Sequence, residues 1–160
     1  DCDFSHSPKE IKNFVISAEK FDIVVGSRFL KKESLKEWNF LRLFLTHIGH
    51  IATRLILKMP YDSTGAFRLY RIDNISRYFL KIIRSKGYSF FYESLYVLYC
   101  NNYRIKEIPI ILPARVYGQS KMRLKDALQS LLRLIKIFFA SKLNSRNLLS
   151  PNLSLQKIKF

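Results

Sequence analysis

Apolar positions along the chain repeat with two different periods, and the switches between them divide it into alternating helical and extended segments. From Pro8 to about Lys20, Ile11, Phe14, Val15 and Ala18 recur at helical spacing, predicting a helix with one face inward and its lysines outward. Ser7, Pro8 and Glu10 supply its N-cap, first-turn proline and third capping-box member. Asp22-Ile23-Val24-Val25-Gly26 is a short β-branched run closed by glycine. It reads as a buried parallel-type strand that delivers Ser27 and Arg28 to its carboxyl end, where open α/β sheets hold ligands. Residues 31–37 are charged and aperiodic, fitting a solvated connection or a mobile flap.

Trp38 to about Lys58 is the longest helical pattern, with Leu41, Phe44, Ile48, Ala52 and Leu55 as its apolar stripe. A second row, Arg42, Thr46 and His50, follows i, i+4 spacing. It is either a solvated face or an anion-binding one, since guanidinium, hydroxyl and imidazole in register suit a phosphate. A turn cluster, Pro60, Asp62, Ser63, Thr64 and Gly65, precedes a predicted strand over 66–70. Asp73 or Asn74 is then placed to cap a helix carrying Ile75, Phe79, Ile82 and Ile83 and ending at Gly87. Residues 88–91 read as extended and 92–102 as helix, with Glu93 in the first turn either as a cap or as a functional acid. Residues 105–112 form a β-rich run in which Pro109 implies an edge or a bulge.

The segment Arg115-Val116-Tyr117-Gly118-Gln119-Ser120-Lys121 is basic and glycine-hinged, suited to ordering over an anion. A basic amphipathic helix follows over 124–143, with Leu128, Leu131, Leu132, Ile135, Phe138 and Phe139 flanked by Lys125, Arg133, Lys136 and Lys142. It fits a core helix or one lying in an anionic membrane interface. Residues 144–160 read as a flexible tail.

Composition narrows the partners. The 160 residues hold 28 Lys and Arg against 12 acidic residues, a formal charge of +16, so an anionic partner is expected. The apolar share, 48%, argues against disorder. Cys2 and Cys100 have neither metal nor redox spacing, which favours a reduced cytosolic setting. No apolar run reads as an uninterrupted span, so a soluble or peripheral protein is expected. Nucleic-acid binding would interleave exposed aromatics with cations, whereas the aromatics here fall on apolar stripes.

The remaining chemistry lies at the start. Asp1 and Asp3, one residue apart, can share one face of a strand end and one hard divalent cation, or they can serve a surface turn or cap.

Taken together, DCDFSHSPK, DIVVGSRF, WNFLR, DSTGAFRLYR, GYSFFYES, EIPI and ARVYGQSKM occur in the order in which they stand in the dolichol-phosphate mannosyltransferases. Over about residues 1–125 the chain resembles that group and the wider polyprenyl-phosphate glycosyltransferases of glycosyltransferase family 2. The resemblance implies an α/β, GT-A-like (Rossmann-like) mixed sheet flanked by helices. Residues 1–123 would be the C-terminal part of that domain, lacking its first nucleotide-binding strands, and 124–143 an interface helix. A start at Asp1 rather than Met fits a piece of a longer protein. Implied too is inverting transfer of mannose from GDP-mannose to dolichyl or polyprenyl phosphate at the cytoplasmic face of a membrane. The resemblance assigns Mg²⁺ or Mn²⁺ to Asp1 and Asp3 with Ser5, and the lipid phosphate to Arg28, Arg42 and Thr46. His50 stands where the family commonly has Asn. Arg115, Ser120 and Lys121 lie on a loop that would close over the donor and acceptor phosphates, and Asp62 and Arg68 would hold the sugar or that loop. Asp3, Arg28 and Glu93 are the expected catalytic set, Glu93 as a positioning carboxylate. Small membrane-anchoring subunits are expected partners and nucleic acid is not. The alternatives are a glucose or aminoarabinose donor, or a non-catalytic basic fragment binding membrane or nucleic acid.

Overall fold

A computed structural model of the chain describes residues 6–36, 38–113 and 124–143. The expected metal residues Asp1, Asp3 and Ser5, the loop residues Arg115, Ser120 and Lys121, and the tail over 144–160 lie outside the described residues.

A three-stranded mixed sheet forms the centre, making the protein α/β as expected. Strand β1 (Ile23–Ser27) is the middle strand, antiparallel to β2 (Arg68–Tyr70) and parallel to β3 (Ile105–Pro109). All five β1 residues are buried, as a β-branched run covered on both faces requires. Pro109 ends β3, an edge strand, where a missing N–H costs no ladder bond.

Alternation along β1 sends its side chains into two cores. Val24 points to one face, where Phe14 and Ala18 of helix α1 (Ile11–Ala18) and Ile110 cover it. Ile23 and Val25 point to the other, against Leu57, Met59, Tyr92, Leu95, Leu98, Leu134 and Ile137. Those residues come largely from helices α2 (Phe40–Leu57), α4 (Tyr88–Cys100) and α5 (Leu124–Leu143). Helix α3 (Phe79–Ile82) is a single turn beside α4.

Several expectations need correction. Ser7 does cap the first turn, accepting from the Lys9 N–H at 3.4 Å, but that turn is 3₁₀, and Ile11 and Val15 stay exposed. Residues 32–35 are not a flap: they form a 3₁₀ turn whose Ser34 is buried, donating to the Ile110 carbonyl at 2.6 Å. The helix after Asn74 shrinks to α3, and Asn74 instead donates to Asp22 at 2.8 Å. Gly87 does not stop it. At φ +60° Gly87 introduces α4, which takes in residues 88–91, expected to be extended. Tyr and Phe favour strands only weakly, and a segment this apolar around its circumference is stable as a buried helix.

The largest correction concerns α2. Of its expected apolar stripe, Leu41, Phe44, Ile48 and Leu55 are exposed and only Ala52 packs on the core, while Thr53 and Leu57 are buried. The polar row is the half-buried face. Contrary to the sequence expectation, α2 is long and apolar enough to cross a membrane by length and composition. In α5 the core is met by Leu134 and Ile137, whereas Leu128, Leu131, Leu132, Ile135 and Phe139 of the expected stripe are exposed.

Two predictions follow from this packing. A Cβ at Gly26 would lie 3.0 Å from two Ile110 side-chain carbons and 3.1 Å from Phe14 Cζ. Gly26→Ala should therefore lower stability by about 1–3 kcal/mol, measured as a drop in the urea midpoint. Asp22 accepts from the Arg104 N–H at 2.9 Å and from its guanidinium at 3.2 Å. Burial alone would raise its pKa, yet these bonds and that from Asn74 outweigh it and lower the pKa from 3.8 to about 2. The bound form is the ionised one, so this contribution is complete above pH 4 and is lost as pH falls toward 2. Asp22→Asn should flatten the stability profile across that window.

Candidate functional site

Asp62 leaves the chain in the turn after α2 and meets Arg28 at the carboxyl end of β1. Its Oδ2 accepts from the Arg28 backbone N–H at 3.0 Å and from Nε at 2.8 Å, while Oδ1 accepts from Nη2 at 2.7 Å. The Gly65 N–H adds a bond to Oδ1 at 3.2 Å. The pair is almost fully buried, with side-chain exposures of 10% for Arg28 and 0% for Asp62. Burial pushes the Asp62 pKa up, but the Arg28 bonds and charge prevail and hold it below the usual carboxylate value.

The same turn is tied to every neighbouring element. Glu107 on β3 accepts the Asp62 N–H. Ser63 donates to Thr53 of α2 at 2.7 Å, and Thr53 in turn donates to the Gly49 and His50 carbonyls. Arg68 of β2 donates to the Ser63 carbonyl and to the Phe91 carbonyl, each at 2.6 Å. Arg68 thus ties the turn at Ser63 to the start of α4.

Phe29 links this network to the polar row of α2. Its ring stacks on His50 with centroids 3.8 Å apart and meets His47 edge-on at 5.3 Å. Burial lowers the His50 pKa below 6.5, with Asp62 opposing, so the imidazole is mainly neutral at pH 7. Its Nδ1 is buried with no hydrogen-bond partner. Arg42 lies over Trp38 at 3.5 Å from the ring centroid, and Asn39 caps α2 by accepting the Arg42 N–H at 2.9 Å. Trp38, Leu35 and Leu112 form a small core that also holds Phe29 and Leu43. His50 thus meets Phe29 beside Arg28, and Arg42 meets Trp38 of the small core on which Phe29 packs, with Thr46 half-buried between Arg42 and His50 on the same row.

Glu93 is placed differently. It lies in the second turn of α4, buried, and accepts from the Arg84 N–H at 3.1 Å, from Ser85 Oγ, and from Arg133 of α5 at 2.9 Å. Its partners come from the α3–α4 linker and α5, and none belongs to the Arg28 group. Among the described residues no cluster of three His, Cys, Asp or Glu is placed to hold a metal ion.

No family model matches the chain. Curated proteins do: it is 29% identical over 124 residues to the polyprenol monophosphomannose synthase of Mycolicibacterium smegmatis, covering 76% of this chain and 47% of that protein. It is 31% identical over 123 residues to the undecaprenyl-phosphate mannosyltransferase of Micrococcus luteus, covering 76% and 51%. The chain is a relative of the polyprenyl-phosphate mannosyltransferases. It spans about half the length of the curated relatives it matches.

In this mannosyltransferase relative, sequence reasoning missed Phe29, Thr53, Ser63 and Glu107 as parts of the site's frame. Glu107 carried a signal, a carboxylate inside the otherwise apolar run 105–112. Its pKa is raised, chiefly by burial, even though the Asp62 N–H and Ser27 donate to it. The others are ordinary residue types whose partners lie 10 or more positions away.

Removing one member of the Arg28–Asp62 pair leaves a buried charge unmatched. Asp62→Ala should cost about 3–5 kcal/mol in urea unfolding. The double variant Arg28→Met, Asp62→Leu should recover a large part of that loss, giving a positive coupling in a double-mutant cycle.

Proposed function

We propose that the protein carrying this chain transfers mannose from GDP-mannose to a dolichyl or polyprenyl phosphate, with inversion, on a GT-A-like fold at the cytoplasmic face of a membrane. The observation that carries this reading is Arg28, fixed by Asp62 at the carboxyl end of β1, with His50 and Arg42 of α2 drawn to the same small aromatic core through Phe29 and Trp38. The names of the two relatives point the same way, toward polyprenyl-phosphate mannosyl transfer.

The chemistry follows from the acceptor. A phosphate monoester is largely ionised at neutral pH, so its oxygen needs no general base. That oxygen attacks the anomeric carbon as the bond from that carbon to the diphosphate breaks, and GDP departs with the electron pair. Placement is then the main requirement. Arg28 is held rigid by Asp62, and Arg42 is supported on the Trp38 face, so both cations cost little ordering when a phosphate arrives. Thr46 adds a hydroxyl on the same helix face. Glu93 acts at a distance, holding α5 through Arg133.

Asp1 and Asp3, with the Ser5 hydroxyl, form a hard oxygen donor set that suits Mg²⁺ or Mn²⁺, which would neutralise charge gathering on the leaving diphosphate. Arg115, Ser120 and Lys121 would close over the donor and acceptor phosphates.

A membrane surface as workplace is supported by the two outward apolar faces, Leu41, Phe44 and Leu55 on α2 and Leu128, Leu132 and Phe139 on α5. With a charge of +16, such faces suit an anionic leaflet. The polar row of α2, turned toward Arg28, favours a helix lying along the interface over one crossing it.

In a transfer assay with GDP-mannose and polyprenyl phosphate in anionic vesicles, Arg42→Ala should reduce lipid-linked mannose at least tenfold, about 1.4 kcal/mol of barrier. Asp3→Asn should reduce it further and blunt the response to added Mg²⁺ or Mn²⁺. Wild-type rates in both variants would remove the assignment. A higher rate with a glucose donor would shift the reading to a related sugar transferase.

A further inference from the structure

Helix α4 starts from Gly87 with no side chain capping its first N–H groups. Next to that start lies a shallow, open depression of about 280 Å³, lined by Arg84, Ser85, Lys86, Ser89 and Arg133. Three of its five lining residues are cations, and the other two bring hydroxyls. Among the described residues, the Arg84 and Lys86 side chains have no hydrogen-bond or ion-pair partner.

Arg133 is held in place. Its Nε donates to Ser85 Oγ at 2.8 Å and its Nη2 to Glu93 at 2.9 Å. Ser89 is buried and lies 3.3 Å from Ser130 Oγ, which fixes the opposite wall on α5. One carboxylate, Glu93, thus faces three cations, and it is already committed to Arg84 N–H, Ser85 and Arg133. The excess of two positive charges in a shallow, open depression with two hydroxyls suits an anion with several acceptor oxygens. The uncapped start of α4 adds favourable potential for such a group.

We propose that this pocket is a second phosphate-binding site, taking a phosphate ester on Arg84, Lys86 and Arg133. It stands on the α3–α4 linker and α5, whereas the acceptor group stands on β1 and α2, so the two sites fail independently. Both a lipid headgroup and a soluble phosphate have the required chemistry. The exposed apolar residues of α5 place a lipid surface within reach of the first.

The test is an NMR titration of the labelled chain with inorganic phosphate, and separately with phosphatidylcholine bicelles with and without phosphatidylglycerol. The variant is Arg84→Ala, Lys86→Ala, with unchanged thermal unfolding as the control for folding. Both side chains are exposed and lie outside the acceptor group. Inorganic phosphate should shift the amides of 84–89 and the Arg133 side chain, and the double variant should weaken that binding about tenfold. Shifts at 84–89 that require phosphatidylglycerol, without a response to free phosphate, would support the site with a headgroup as its ligand. Absence of shifts there with either probe, shifts confined to the Arg28 and Arg42 region, or equal affinity in the double variant would each overturn the proposal.

Discussion

The buried pair of Arg28 and Asp62 is the constraint on which the site depends. Taking both charges out of water costs several kcal/mol per ion, and their attraction offsets this only when the remaining hydrogen-bonding capacity is filled. Here it is filled: both Asp62 oxygens accept from Arg28, and the Gly65 N–H takes up further capacity on Oδ1. The pair adds little net stability relative to a well-packed apolar alternative. What it does fix is position, because β1 and the turn after α2 cannot slide past one another while the fork is engaged. Glu107, Ser63 and Arg68 extend that lock to β3, α2 and β2.

The inverted amphipathicity of α2 follows from the same lock. Thr53 is drawn inward to receive the Ser63 hydroxyl, and Leu57 packs under β1, so the helix rotation is set by its C-terminal half. With that rotation fixed, Thr46 and His50 lie on the half-buried side and Leu41, Phe44, Ile48 and Leu55 are turned out. Leaving four large side chains in water forgoes roughly 1.5–3 kcal/mol each. A contiguous patch of this kind marks a surface that is covered in use.

This explains which parts of the fold were legible in the sequence. Strand β1, edge strand β3 and the bounds of α5 are readable because each announces itself locally: a β-branched run, a proline in a strand, a sustained period. The stripe on α2 was equally readable, but periodicity only divides a helix into two faces. Which face meets the sheet depends on Thr53 and Ser63, ten residues apart, and nothing local reports that bond. Glu93 is similar: near a helix start it reads locally as a cap, yet it accepts from Arg133, 40 positions away. Arg28 and Asp62 were each chosen as site residues, whereas their pairing across 34 positions was visible only in three dimensions.

Trp38 joins the two halves of the site in a way that neither half reveals alone. Its indole N–H donates to the Leu112 carbonyl at 2.9 Å, anchoring the chain just before residue 114, while its ring supports the Arg42 guanidinium. Ser34 adds a second anchor at Ile110, and on the far side Leu134, Ile137 and the Glu93–Arg133 pair hold α5 in the core. The stretch bearing Arg115, Ser120 and Lys121 is therefore attached at both flanks to elements that also hold Arg42 and Glu93. A displacement of Trp38 would move the Arg42 cation and the entry to that stretch together.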